Sequence, residues 1–147
     1  MKHTGNVKDY IIIVGCGRLG ANLANTLSDD DGNVLIMDTS KDSFRRLASN
    51  FGGLTMVGNG TDLEDLKNAQ IQKAAAVVAV TNDDNTNIMI VQLAREMFHV
   101  ERAIARLYDP ERESVYQELG IGTICPAILS AKEVDKLLEN CGKEQVK

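Results

Sequence analysis

Tyr10-Ile11-Ile12-Ile13-Val14-Gly15-Cys16-Gly17-Arg18-Leu19-Gly20 is the stretch whose reading decides the fold. An apolar run suited to a buried strand passes directly into G-x-G-x-x-G, and Leu19 and Leu23 follow in helical phase. Glycines alone say little, because they are common in turns. A strand before them and a helix after them give the context of a phosphate-binding turn. Gly15 permits the tight turn, Gly17 lets a pyrophosphate approach the backbone, and Gly20 lets the helix pack closely on the strand. Free N–H groups at the helix N-terminus then meet the phosphates.

Working outward, the same alternation of short apolar runs and longer amphipathic ones continues. Tyr10–Val14, Val34–Met37, Leu54–Val57, Ala75–Val80, Ala103–Leu107 and Ile121–Cys125 each suit a strand buried on both faces, as parallel sheets require. Between them, helical spacing groups Leu19, Leu23, Thr26 and Leu27, then Phe44, Leu47, Ala48 and Phe51, then Leu63, Leu66 and Ala69. Asp109-Pro110 is an N-cap with Pro at the first helical position, opening a helix that carries Val115 and Leu119. Ser130 to Glu133 has capping-box spacing and predicts the start of a last helix. The pattern predicts an α/β fold: a doubly wound parallel sheet, Rossmann-like, with six strands in order 3-2-1-4-5-6 and a C-terminal helix. The folded domain is expected over 8–142, with frayed ends at 1–7 and 143–147.

Several side chains sit where such a fold places a ligand. Asp38 ends the second strand, 18 residues after Gly20, where a carboxylate accepts hydrogen bonds from both ribose hydroxyls of an adenosine. It would repel a 2′-phosphate, which favours NAD or an adenine nucleotide over NADP. Asp38 can alternatively cap the second helix, a task also open to Thr39 and Ser40. Arg18 opposes the helix dipole unless a phosphate lies before the turn; otherwise it is a solvated surface residue. Gly58-Asn59-Gly60-Thr61-Asp62 comes beside the adenine in this topology, with Asp62 as a helix cap. Thr81 and Asn82 begin a polar loop at the switch point. Arg106, charged within Ala-Ile-Ala-Arg-Leu, requires an anionic partner, either a phosphate or a carboxylate.

Composition narrows the function classes. The 147 residues are 44% hydrophobic and 25% charged with a net charge of −5, which argues against a general nucleic-acid binder. Apolar runs fall well short of the ~20 residues of a membrane span, and Met1 to Asp9 lacks the apolar core of a signal peptide. Three cysteines with no C-x-x-C indicate neither a disulfide framework nor a metal site. A cytoplasmic location is the expectation. One dinucleotide fold of this size leaves no room for a separate substrate domain. From Ile88 to Phe98 the chain is apolar on nearly every side, with Met89, Leu93 and Met97 as a second stripe. Val134, Leu137, Leu138 and Cys141 share a face of the last helix. This excess predicts self-association.

The order and spacing of these signals resemble the RCK/KTN (TrkA-N) domains, cytosolic nucleotide-sensing domains of potassium channels and transporters. The carrying residues are Gly15-Cys16-Gly17-Arg18-Leu19-Gly20, Asp38, Gly58 to Asp62 with Leu66 and Ala69, and Ala79-Val80-Thr81 with Asp84 and Asn87. Ile104-Ala105-Arg106 with Asp109-Pro110, and Leu119-Gly120 before Pro126, complete the series over residues 9 to 130. The resemblance implies a cytosolic regulatory subunit that binds NAD(H) or ATP/ADP/AMP. It further implies assembly as a homodimer or octameric ring, which gates a membrane potassium channel or transporter from the inner face. On it, Arg18 and Arg106 hold phosphates, Asp38 the ribose, and Asn59, Gly60 and Thr61 the adenine side, with Thr39 also among the ligand-binding residues. Thr81 and Asn82 border the pyrophosphate or second ribose. Asn59 stands where many members carry Asp, and Asn85 where many carry Glu. The competing readings are a nucleotide sensor acting on a soluble partner and a small NAD-dependent oxidoreductase. Against the latter, Tyr10, Tyr108 and Tyr116 lack a Lys four residues on, and His3 and His99 sit at a chain end and a helix end.

Overall fold

Residues 9–29 and 33–146 are described by the computed structural model, with side chains through Cys141. The ends expected to fray at 1–7, together with His3 and Lys147, lie outside the described residues. Six parallel strands form one sheet: β1 (Tyr10–Val14), β2 (Asn33–Asp38), β3 (Leu54–Val57), β4 (Ala76–Ala79), β5 (Arg102–Arg106) and β6 (Gly122–Ile124). Their spatial order is β3-β2-β1-β4-β5-β6, as the alternation of elements predicts. Among the described residues five α-helices accompany the sheet: α1 (Arg18–Asp29), α2 (Leu63–Asn68), α3 (Asp84–Glu96), α4 (Pro110–Glu118) and α5 (Pro126–Val146).

Alternate residues of the central strands feed two cores. Ile12 and Val14 of β1, with Leu35, Met37, Val77 and Ala79, pack beneath α2 and α3. Ile13, Val34 and Ile36 pack on the other face under α1, whose Ala21 and Ala24 are buried. Among the described residues, no helix is long and apolar enough to cross a membrane.

Local chemistry sets most element ends. Asp109 accepts a hydrogen bond from the Glu111 amide and caps α4, with Pro110 in its first turn. That helix closes in a Schellman motif, the Gly120 amide bonding Gln117 and the Ile121 amide bonding Tyr116, with Gly120 at φ 78°. Asp62 caps α2 through the amides of Glu64 and Asp65.

Four expectations are corrected. The second helix, expected through Phe44 to Phe51, is a 3₁₀ turn at Lys41–Arg46 followed by irregular chain. Side chains of α1 take the amides a helix would have used: Asn25 Oδ1 accepts from Ala48, and Ser28 Oγ from Gly52. β3, expected to be buried on both faces, is an edge strand, with Leu54 62% and Val57 54% exposed. α5 starts at Pro126 rather than Ser130, because the Cys125 carbonyl already accepts the Leu129 amide. Val115 on α4 and Leu119 at its C-cap are exposed, and Tyr116 packs on the core.

Candidate functional site

The strand order reverses between β1 and β4, and the crevice at their carboxyl ends is where such folds bind ligands. The glycine turn forms its floor. Gly15, at φ 111°, lies so close to β4 that an added Cβ would sit 2.8 Å from the Val80 carbonyl. At Gly20 an added Cβ would come within 1.8 Å of the Gly15 oxygen, so α1 packs on the turn only because that position is glycine. Gly17 differs. Nothing lies within 4 Å of its would-be Cβ, and its carbonyl accepts the Ala21 amide as α1 begins. The first amides of α1 therefore face open space above Gly17.

Asp38 is held rather than loose. Its Oδ2 accepts from the Cys16 amide and its Oδ1 from the Ser40 amide, both at 2.8 Å. A carboxylate has about four acceptor positions, so each oxygen keeps capacity for a ligand hydroxyl. This is a carboxylate oriented in advance, and it does not cap a helix: the 3₁₀ turn that follows has Ser40 as its N-cap and no side-chain cap. Asn59 shapes the opposite wall. Its Oδ1 accepts from the amide and hydroxyl of Thr61, and its amide donates to Asp65.

A cavity of about 320 Å³ is lined by Gly15, Cys16, Gly17, Asp38, Thr39, Asn59, Gly60, Thr81 and Asn82, with Ser43, Arg46 and Thr86. A second, of about 630 Å³, shares Gly17, Arg46 and Asn82 with the first and adds Arg18, Leu19, Arg106, Tyr108, Ile124 and Leu129. The cleft thus runs from Asp38 past the glycine turn to Arg106. Two expected site residues do not border it. Gly20 lies beneath the turn, and Thr61 spends its hydroxyl on Asn59. Cys16 lines the cleft with its backbone. Its thiol is 1% exposed and donates to the Ser43 carbonyl, and burial, then Asp38, push its pKa up.

Arg106 is 8% exposed and finds no carboxylate among the described residues. One guanidinium nitrogen donates to the carbonyls of Val80 and Thr81 at 2.9 Å, Tyr108 lies 4.8 Å away, and Nε has no partner. A buried cation bonded only to carbonyls retains its demand for an anion. Of the two alternatives open from its position, the carboxylate is absent from its surroundings. An adenine nucleotide with its phosphates fits these residues: an oriented carboxylate, an open helix N-terminus and an uncompensated guanidinium.

Sequence reasoning missed Arg46, and it took Asn87 only as part of the family pattern, with no role of its own. Arg46 lines both cavities and its Nη1 lies 3.5 Å from the Cys16 carbonyl, whereas its neighbour Arg45 pairs with Asp42 in solvent. The doublet was visible, but which arginine faces the cleft depends on the 3₁₀ geometry. Asn87, fully buried in α3, carried the signal of a polar residue beside Ile88, Ile90 and Val91.

The TrkA-N domain family matches residues 11–126. Over 135 residues the chain is 44% identical to the Trk system potassium uptake protein TrkA of Streptomyces coelicolor, covering 92% of this chain and 60% of that one. It spans between about a fifth and three-fifths of the length of curated relatives that it matches. The crystal structure of the GsuK RCK domain superposes with a TM-score of 0.75 at 25% identity, covering 91% of this chain and 29% of that one. A GsuK channel bound to NAD shares the fold, with a TM-score of 0.67 at 17% identity, covering 84% of this chain and 22% of that one.

Proposed function

The chain belongs to the TrkA-N domain family, and from that premise we propose that it is a nucleotide-binding regulatory component of potassium transport. The observation that carries the reading is the cleft itself, which offers a ribose acceptor at one end and an uncompensated arginine at the other. In it, Asp38 takes the ribose hydroxyls, the α1 amides above Gly17 take phosphate, and Arg18 and Arg106 neutralise further phosphate charge. Thr39, Asn59 and Gly60 border the adenosine side, and Thr81 and Asn82 the pyrophosphate or second ribose. The ligand is NAD(H) or an adenine mononucleotide such as ATP, ADP or AMP, and it acts as a signal rather than a reactant. Cys16, buried and held in its thiol form, supports binding rather than nucleophilic chemistry.

The names of the relatives supply the context: a potassium uptake protein, and a channel captured with NAD. The domain works at the cytoplasmic face, as a homodimer or larger ring set against a membrane channel or transporter subunit. A nucleotide shifts such an assembly only by the ratio of its affinities for two arrangements. Ligands that differ in charge at the Arg18–Arg106 end of the cleft supply that difference.

Thermal unfolding with NADH, NAD, ATP, ADP and AMP tests the site. A ligand at 100 times its dissociation constant adds about 2.7 kcal/mol of stability. That gain is expected with at least one of the five and is expected to vanish in Asp38→Ala. No shift with any of them, or one indifferent to Asp38→Ala, overturns the assignment. Hydride transfer from bound NADH to an added carbonyl compound overturns the non-catalytic reading.

A further inference from the structure

We infer that Asn87 is the positioning residue for the phosphate side of the cleft, acting through Thr81 and Arg106; the inference rests on the nucleotide reading above. Asn87 lies in the first turn of α3, turned toward the sheet, and is 0% exposed. Its neighbours Ile88, Ile90 and Val91 are core residues, so an apolar side chain would suit the burial. Every hydrogen-bonding position of its amide is used instead. Oδ1 accepts from the Thr81 amide at 2.9 Å and from the Thr81 hydroxyl at 2.7 Å. Nδ2 donates to the Thr81 carbonyl at 3.1 Å and to the Arg106 carbonyl at 2.9 Å. Two lone pairs and two N–H groups are the whole capacity of the group.

The bonds converge on two residues, and both border the cleft. Thr81 follows β4 and Arg106 ends the neighbouring β5. The ladder between these two strands stops at Ala79 and Ala105, and beyond it Arg106 pairs only outward, with Ile124 of β6, which leaves Thr81 and Arg106 unjoined by strand pairing. Asn87 closes that gap by holding both carbonyls from below. The Thr81 carbonyl is shared, since it also accepts from Arg106 Nη2. The direction of the guanidinium is therefore referred, through one carbonyl, to the Asn87 amide. Losing the amide takes the side-chain partner from the Arg106 carbonyl and from the Thr81 N–H, leaves the Thr81 carbonyl held by the arginine alone, and lets the arginine turn away from its ligand. The ribose carboxylate of Asp38, held by Cys16 and Ser40, shares none of these bonds. Asn87 therefore governs affinity for the phosphate-bearing part of a ligand and not for its nucleoside.

NMR titration of the labelled protein with NAD, ADP and adenosine separates positioning from mere support of the fold. Asn87→Ala and the isosteric Asn87→Asp, which turns a carboxylate oxygen toward the two carbonyls, are expected to weaken NAD and ADP by roughly tenfold or more. Adenosine affinity should stay within about twofold, as for an independent site. Ile88→Val, a core change in the same turn, should leave all three ligands unaffected. Asn87 variants that bind NAD and ADP as the parent does, or that lose adenosine in equal proportion, overturn the inference while leaving the nucleotide site intact. A parent protein that binds none of the three refutes both, and does so before any substitution is made.

Discussion

Gly17 and Gly20 differ in what a methyl group would meet, and that difference separates ligand from fold. At Gly20 the group would strike the Gly15 carbonyl, whereas at Gly17 it would enter open cleft. Gly20→Ala is expected to destabilise the domain by about 3 kcal/mol through overpacking. Gly17→Ala should change stability by no more than about 1 kcal/mol, the scale of an N-cap substitution. It should nevertheless weaken nucleotide binding severely, because it occupies the space where phosphate meets the α1 amides. Urea unfolding and ligand titration on the two variants check the division. A Gly17→Ala protein that binds at full affinity would show that phosphate takes another path. These positions were legible in the sequence because residue type and spacing encode the requirement directly. Arg46 was not, since neighbouring arginines diverge by the local helix geometry; Asn87 was visible at the end of a polar run, but its burial, and so its role, depends on how α3 meets β4 and β5.

Elements were legible where one local signal dominates and obscure where a neighbour competes. The strands carried continuous apolar runs, and each begins and ends within one residue of its expected bounds. The region from Phe44 to Phe51 had helical periodicity, but Asn25 and Ser28 of α1 capture its amides. That competition is tertiary and has no trace in a local pattern. The start of α3 shows a local signal with a pH consequence. Asp83 at its N-cap accepts from the Thr86 hydroxyl at 2.7 Å, a bond that holds its carboxyl below the usual range. A lowered folded pKa stabilises the native state above the unfolded value of about 3.9, and the contribution disappears as pH falls through the folded value. Thermal unfolding from neutral pH down to about pH 2 should show the parent losing stability faster than Asp83→Asn below that unfolded value. Parallel pH profiles for the two proteins would remove Asp83 from the acid response.

At the scale of the molecule, the feature that the sheet does not explain is α5. Every residue from Leu129 to Cys141 is exposed, so the helix stands away from the core that the other elements share. Leu129, Val134, Leu137 and Leu138 are 54% to 66% exposed along it. A helix of this kind draws little stability from its own domain, since helices are held mainly by packing an apolar face. The second stripe expected on α3 is partly absorbed: Leu93 packs against the core, while Met89 and Met97 stay 48% and 56% exposed. Leu93 would therefore be a poor probe of assembly, because changing it disturbs the fold as well. Leu137 and Leu138 are better ones. If α5 is the surface on which copies of this chain join, Leu137→Lys with Leu138→Lys should dissociate the assembly, as read by light scattering. Domain stability at low protein concentration and the Asp38-dependent nucleotide shift should survive, because neither leucine touches a core or the cleft. An oligomer unchanged by both substitutions would move the interface off α5 and leave Met89 and Met97 to account for it.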